Sequence, residues 1–241
     1  MSEALPWGKW RVLISVLLVA GTFVATQIAV TLVIAAFEAA SSPGLDMDAW
    51  LAASDKNGFV LSLASIATLF TCVPLIWFLA SRREPAPWSY LGVRPFSRAS
   101  LLLWCALTLA FMLCSDLLAL ALGKPLVPPF MVEIYATARS PLLLLLVLAL
   151  TVPVVEELFF RGFILSALGS LGIPFRVGAA ASALAWAVIH TQYELYELVL
   201  VFALGMLLAE ARYRSRSVIP CIAMHGVFNI GAFVETALLT S

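Results

Sequence analysis

The sequence predicts an all-α fold, a polytopic bundle of membrane-spanning helices, from its composition, its apolar segments and the distribution of its charges. The chain has 241 residues, of which 63% are hydrophobic and 12% are charged. Soluble domains contain about 45–50% apolar and about 25% charged residues. The excess of apolar side chains must face lipid, so we expect residues 1–241 to form a single membrane domain.

Seven apolar segments approach the roughly 20 residues that an α-helix needs to cross a bilayer. We place them at Val12–Phe37, Phe59–Ala80, Ser100–Leu122, Leu142–Leu168, Val177–His190, Leu195–Ala211 and Val218–Leu239. The fifth and sixth segments are short and joined by a tight turn, so the sequence leaves open whether they cross completely. The first segment is too long for a cleaved signal sequence, and Trp7 and Trp10 are predicted to anchor it at the interface.

Loops rich in lysine and arginine alternate along the chain with loops that are poor in them. The rich loops contain Lys9, Arg11, Arg82, Arg83, Arg94, Arg98, Arg176, Arg212, Arg214 and Arg216, and the poor loops contain Lys56, Lys124 and Arg139. Cytoplasmic loops carry the excess of basic residues. The pattern therefore predicts seven spans with the amino terminus inside and the carboxyl terminus outside.

Composition also excludes several classes of protein. The formal net charge is zero, and no basic patch of the kind that binds nucleic acid is present. The cysteines all fall within predicted spans, so neither a disulfide framework nor a site of paired metal-binding cysteines is indicated. The lipid bilayer is the only partner that composition implies.

Ionisable side chains within the spans concentrate in the last four segments. Because a charge at the bilayer centre costs at least about 2.5–3.5 kcal/mol, such residues are usually functional. Glu157 and Arg161 are four residues apart and share a helical face, so they can form an ion pair. Glu156 points about 100° away from Glu157. We therefore expect Glu156 to face a cavity as a general base.

Two histidines and an asparagine complete the candidate site. His190 ends the fifth predicted span, and His225 and Asn229 share one face of the seventh. Imidazole and amide groups can both donate to a developing oxyanion. Trp186, one helical turn before His190, is predicted to support the site by packing. Asp116, in the third span, has no assigned role.

Three ordered motifs carry a resemblance to a known family. They are EELFFR (Glu156, Glu157 and Arg161), an aromatic residue four positions before a histidine (Trp186 and His190), and HGVFN (His225 and Asn229). They resemble the EExxxR, FxxxH and HxxxN motifs of the CAAX protease and bacteriocin-processing family, the Abi-type intramembrane endopeptidases. The resemblance covers roughly residues 140–235, the expected catalytic core, and tryptophan stands where phenylalanine is usual.

The resemblance implies a helix bundle around a polar cavity in which peptide bonds are cleaved near the membrane. Glu156 and His190 would together activate a water, and His225 and Asn229 would hold the oxyanion, while the Glu–Arg pair would fix the geometry. The substrate would be a membrane-associated peptide or protein, with a prenylated tail and a bacteriocin leader both compatible. The small size and short loops favour the bacterial cytoplasmic membrane.

Metal dependence stays open at this point. Glu156, His190 and His225 would supply the three protein ligands of a catalytic Zn²⁺ site, with water in the fourth position. A glutamate that ligates the metal cannot also serve as the free base. The sequence is therefore compatible with a zinc mechanism and with a metal-free glutamate mechanism.

Three other interpretations of the same residues are considered. Cys221 and His225 are four residues apart and could form a thiolate–imidazole dyad. Intramembrane acids and histidines also form proton relays in transporters, and a half-helix break at Pro153 would suit a transport site. The third alternative is a non-catalytic membrane scaffold with the same fold.

Overall fold

Seven long helices lie at the seven predicted positions. They are α1 Lys9–Ser41, α2 Gly58–Ser81, α3 Arg98–Ala121, α4 Pro141–Ser170, α5 Phe175–Val188, α6 Leu195–Ser215 and α7 Ile219–Thr240. This computed structural model describes residues 8–240, so the predicted anchor Trp7 lies outside the described residues. No β-strand occurs between residues 8 and 240, and the all-α prediction is confirmed.

The shorter helices lie in the loops. They are Met47–Ala52, Pro87–Tyr90, Pro129–Ala136 and the 3₁₀ turn Ser54–Lys56. Five of the long helices, α1 to α4 and α7, are apolar and long enough to cross a membrane. This makes the chain an integral membrane protein. Helix α5 is apolar but shorter, so the count of seven spans and the orientation of the bundle remain predictions.

Helix α4 lies at the centre of the bundle. It contacts α2, α5, α6 and α7, while α1 packs on α2, α5 packs on α6, and α3 packs on α7. The side chains between them are apolar and fully buried, including Phe163 of α4, Trp186 of α5 and Leu208 of α6. Many leucine side chains on the outer surfaces of α1 and α3 are exposed, as expected for helices that face lipid.

Two stretches of widened, π-helical turns interrupt the regular α-helix in α4. They span Val147–Thr151 and Leu158–Ile164, and the α-helical turn Val152–Glu157 between them carries both glutamates. Pro153 has no N–H and cannot complete the usual hydrogen-bond ladder. The helix accommodates this residue by widening and continues to Ser170. The half-helix break that a transport site would use is therefore not present.

A glycine allows α7 to approach α4 closely at this level. A Cβ atom at Gly226 would lie 2.5 Å from the carbonyl oxygen of Ala149, well inside contact distance. Only glycine leaves room for the α4 backbone there. The close approach places His225 and Asn229, on either side of Gly226 in the sequence, against the turns that carry the glutamates.

Contacts between loops define two ends of the bundle. At the arginine-rich end, Ser217 Oγ donates to the carbonyl of Arg94 at 2.8 Å, and the N–H of Val218 donates to Gly92 at 2.8 Å. At the opposite end, three ion pairs link the loops to one another: Lys56–Glu133, Lys124–Glu194 and Arg139–Glu38. The two sets of loops that the sequence distinguishes by charge thus lie at opposite ends.

Candidate active site

A fully buried ion pair lies at the centre of the candidate site. Arg161 Nη1 donates to Glu157 Oε1 at 2.9 Å, and neither side chain has any exposed surface. His225 Nδ1 lies 3.0 Å from the same glutamate oxygen. The ion pair expected from the four-residue spacing is present. It also connects α4 to the histidine of α7, which the spacing could not indicate.

Arg161 joins three helices through its remaining contacts. Its Nη2 donates to the carbonyl of Gly205 in α6 at 3.2 Å, and its guanidinium lies 4.5 Å from the ring centroid of Trp186 in α5. A Cβ atom on Gly205 would lie 2.9 Å from the Cβ of Ala183. The glycine is therefore needed for α5 and α6 to pack closely around the guanidinium.

Glu156 occupies different surroundings from Glu157. Its side chain is half-buried and faces a cavity, and its Oε2 accepts a hydrogen bond from Trp186 Nε1 at 2.5 Å. No ion pair involves Glu156 in the described part of the chain. The two adjacent glutamates thus divide into one that neutralises Arg161 and one that is directed to the cavity, as the 100° helical offset predicts.

His190 lies just beyond the end of α5, and the prediction that it is the last residue of that helix was wrong. The helix ends at Val188, and His190 Nδ1 lies 2.7 Å from the carbonyl oxygen of Trp186. The last carbonyls of a helix lack intrahelical partners, and the imidazole provides one. Because a carbonyl oxygen can only accept, Nδ1 carries the hydrogen, and in the neutral ring Nε2 carries the lone pair.

The same reasoning assigns the tautomer of His225. Its Nδ1 faces the carboxylate oxygen of Glu157 that also accepts from Arg161. The hydrogen therefore resides on Nδ1, and Nε2 has a lone pair unless the ring is doubly protonated. Donation from Nε2 to an oxyanion requires the imidazolium form, a condition that the sequence did not reveal.

The side chain of Asn229 forms a hydrogen bond with the backbone of α4. Its Nδ2 donates to the carbonyl of Leu148 at 2.8 Å. That carbonyl lies in the first widened turn, where the i+5 residue is Pro153 and has no N–H to offer. The asparagine therefore satisfies a backbone acceptor that the proline leaves open. One further N–H of the same amide remains for a ligand.

All four predicted catalytic residues line one cavity of about 370 Å³: Glu156, His190, His225 and Asn229. Most of the remaining lining is apolar, with Gln27 of α1 and Thr68 of α2 adding polar groups that hydrogen-bond to each other at 3.0 Å. The wall thus includes α1 and α2, in which the sequence analysis identified no functional residue.

Two contributions to the site were missed or understated from the sequence. Tyr193 stacks on His190, with ring centroids 5.8 Å apart, and lines the cavity. Burial, and then the nearby carboxylates of Glu197 and Glu156, raise the pKa of Tyr193, so its hydroxyl remains a donor. Trp186 was expected only to pack, but its indole N–H donates to Glu156. The four-residue spacing of Trp186 and His190 was the signal available for this contact.

The arrangement as it stands does not fit a zinc site. Imidazole nitrogens and a carboxylate are suitable zinc ligands. However, no three His, Cys, Asp or Glu side chains between residues 8 and 240 are grouped closely enough to share one ion. One cavity thus contains Glu156, His190 and His225, but these three side chains do not form a metal-binding cluster.

Cys221 and Asp116 lie away from this cavity. Cys221 is fully buried, and its Sγ is directed to the carbonyl of Leu208 at 3.2 Å. Its position gives no support to a dyad with His225. Asp116 lines a second, smaller cavity of about 110 Å³ together with Glu197 and Glu235.

Comparison with known proteins identifies the region that carries the site. Residues 138–231 match the family model described as type II CAAX prenyl endopeptidase, Rce1-like. No curated protein and no solved structure matches the chain. The match begins just before α4 and ends within α7, so it includes every residue of the candidate site. Residues 138–231 are therefore similar to the CAAX protease family that the three motifs also resemble.

Proposed function

We propose that this chain is an intramembrane endopeptidase that hydrolyses a peptide bond of a membrane-associated substrate with a water activated by Glu156. The observation that carries the proposal is the common cavity. It brings one carboxylate, two imidazoles and an amide from three separate segments to one cavity beside α4. CAAX proteases act on membrane-associated proteins, and the bacterial cytoplasmic membrane is our proposed location.

The chemistry begins with a water between Glu156 and His190. Glu156 Oε2 is occupied by Trp186, which leaves Oε1 to accept a proton as the water attacks the substrate carbonyl carbon. His190 Nε2, with its lone pair, can accept the second hydrogen of that water and orient it. A positioned base of this kind contributes about 10²–10⁴-fold to rate.

The tetrahedral intermediate then places negative charge on the former carbonyl oxygen. The free N–H of Asn229 can donate to that oxygen, and His225 can do so from Nε2 when its ring is doubly protonated. Preformed donors at a developing oxyanion are often the largest single contribution to catalysis. As the C–N bond breaks, Glu156 returns its proton to the departing amine.

The buried ion pair positions this machinery without taking part in it. Glu157 and Arg161 compensate each other's charge at the centre of the bundle. Glu157 also holds the ring of His225, and Arg161 packs against Trp186. Because the pair has no contact with the cavity, we assign its residues to positioning. Substitution of Glu157 or Arg161 should therefore reduce folding stability, whereas substitution of Glu156 should remove activity from a folded protein.

The decisive experiment compares membrane peptides from cells that express the native chain and the Glu156→Gln variant. An endopeptidase produces new peptide N-termini that disappear in the variant, together with accumulation of the uncut protein. Glu210→Gln is the matched control, since Glu210 pairs with Arg214 at the surface of α6 and should leave cleavage unchanged. Identical peptide sets in all three strains would refute the proposal. Full biological complementation by Glu156→Ala would point to a scaffold.

A further inference from the structure

The active-site cavity opens toward the arginine-poor end of the bundle. Its rim includes Asp55, Thr191 and Gln192, which are exposed and belong to the arginine-poor loops. Among the described residues, none that lines the cavity comes from the arginine-rich segments at 82–98, 171–176 and 212–218. A polypeptide therefore reaches Glu156 from the arginine-poor end.

The opposite end is closed by a packed layer beneath the site. Arg161, Phe163 and Trp186 are each at most 2% exposed. Leu91, from the loop between α2 and α3, is fully buried in the same apolar cluster as Phe163. Helix α4 is therefore sealed on the arginine-rich side of Glu157. No second route to the cavity passes through this layer of the described structure.

The charge of the loops orients the opening in the membrane. The positive-inside rule places the arginine-rich loops in the cytoplasm, and the contacts between Arg94 and Ser217 and between Gly92 and Val218 hold those loops together at one end. The cavity opens at the other end. It consequently faces the non-cytoplasmic side of the membrane.

The opening is also acidic. Each basic residue of the arginine-poor loops is paired with a glutamate, in the pairs Lys56–Glu133, Lys124–Glu194 and Arg139–Glu38. No lysine or arginine of the described chain lines the cavity, whereas Asp55 and Glu156 do. An anionic group that entered would therefore meet these carboxylates with no lysine or arginine to compensate its charge.

We infer that the substrate is an internal, neutral or cationic segment of a membrane-associated polypeptide, exposed on the non-cytoplasmic side. This inference rests on the proposed endopeptidase function and specifies its substrate. A CAAX tail ends in a free carboxylate three residues after its cysteine. Cleavage within such a tail brings that carboxylate within about 10 Å of the scissile bond. Proteins usually bind such groups with arginine, lysine or clustered backbone N–H groups, and this cavity contains neither basic side chain.

Labelling of the full-length protein with a membrane-impermeant maleimide tests the sidedness. Gln192→Cys places a thiol at the rim, and Glu84→Cys places one in the exposed arginine-rich loop. The native chain is the background control, because its four cysteines lie within the long helices. We expect Gln192→Cys to react in intact cells and Glu84→Cys to react only after permeabilisation. The reverse pattern overturns the inference.

Synthetic peptides test the charge preference. The probes are two peptides copied from a cleavage site that depends on Glu156, added to purified protein in liposomes. One ends in a free carboxylate three residues after the scissile bond, and the other is extended beyond that point and amidated. We expect the extended peptide to be cleaved at least about fivefold faster, the scale of one unfavourable charge pair at 4 Å in water. Equal or faster cleavage of the carboxylate-ended peptide overturns the inference.

A charge-reversal pair checks the role of the rim. Asp55→Lys should reduce the discrimination against the carboxylate-ended peptide by about fivefold. The control Asp48→Lys makes the same charge change on the same side, at an exposed position that does not line the cavity, and should leave the discrimination unchanged. An equal effect of both variants would contradict recognition at the rim.

These outcomes separate the inference from the proposed function. If Glu156-dependent cleavage sites map to cytoplasmic tails, the proposed endopeptidase stands and the inferred substrate class is wrong. If no cleavage depends on Glu156, the proposed function is wrong. The thiol labelling still determines which side the cavity faces, since it requires no activity.

Discussion

Replacing Trp186 by phenylalanine isolates one hydrogen bond of the site. The indole N–H donates to Glu156 Oε2 at 2.5 Å, while the ring packs against Arg161, with the guanidinium carbon 4.5 Å from the ring centroid. Trp186→Phe keeps an aromatic ring beside the guanidinium and removes only the donor. It also installs the residue that the FxxxH motif usually contains. The substitution therefore tests whether this chain depends on its tryptophan to hold Glu156, the proposed catalytic carboxylate.

The expected magnitude follows from the charge of the acceptor. A hydrogen bond to a charged group contributes about 1.5–3 kcal/mol, and each 1.36 kcal/mol of barrier is tenfold in rate. If between half and all of that free energy serves to hold Glu156 in its reactive position, the cleavage rate falls by about 4- to 160-fold. Substrate binding should change little, because the indole is almost entirely buried beneath the cavity wall.

The assay is cleavage by purified protein in liposomes of a peptide that depends on Glu156, with kcat and KM measured separately. Trp104→Phe is the matched control. Trp104 is also a buried tryptophan of the same apolar cluster, but no side-chain hydrogen bond to the site is observed for it. Circular dichroism and thermal unfolding in detergent report whether either variant has lost structure.

Two results would refute the reasoning. An unchanged kcat in Trp186→Phe would show that the indole N–H does not position Glu156. A loss of activity that is equal in Trp186→Phe and Trp104→Phe would assign the effect to packing.

Further predictions concern stability and the two alternative mechanisms, a thiolate dyad and a zinc site. Glu157→Gln leaves a buried guanidinium without its counter-charge, so we expect a loss of about 3–5 kcal/mol in unfolding free energy, measured by denaturant titration in micelles. Gly226→Ala places a Cβ 2.5 Å from the carbonyl of Ala149 and should cost about 1–3 kcal/mol, with a lower unfolding midpoint as the readout. Cys221→Ser retains a donor for the carbonyl of Leu208 and should cleave substrate at the native rate; an inactive Cys221→Ser protein would restore the thiolate dyad. A chelator should leave kcat unchanged if the water is activated by glutamate alone, and metal analysis of the purified protein together with rescue by added Zn²⁺ would demonstrate the contrary.

The positions of the seven long helices could be predicted from the sequence, because lipid exposure requires continuous apolar segments of a characteristic length. The division of the adjacent glutamates was also predictable. Glu157 and Arg161 share a helical face by their spacing, and Glu156 must point elsewhere. These are local properties of one helix, and the structure contains the resulting ion pair.

Contacts between distant segments were not predictable in this way. The bond from Trp186 to Glu156 joins residues 30 positions apart, and that from Asn229 to Leu148 joins residues 81 positions apart. The end of α5 at Val188 was misplaced because the chain remains apolar through Ile189, whereas the backbone turns before His190. Apolar composition marks where lipid contact is tolerated, but it does not specify the last hydrogen-bonded turn.

By itself the sequence determined that this protein is an all-α membrane protein with its ionisable residues gathered in the later helices. Those conclusions depend on hydrophobicity and helical periodicity, which are local properties of each segment and do not require contacts with other segments. Only the tertiary structure decided which hydrogen-bonding groups are already occupied, which nitrogen of each imidazole carries its hydrogen, and at which end the cavity opens. Each of these depends on a partner that packing brings from elsewhere in the chain.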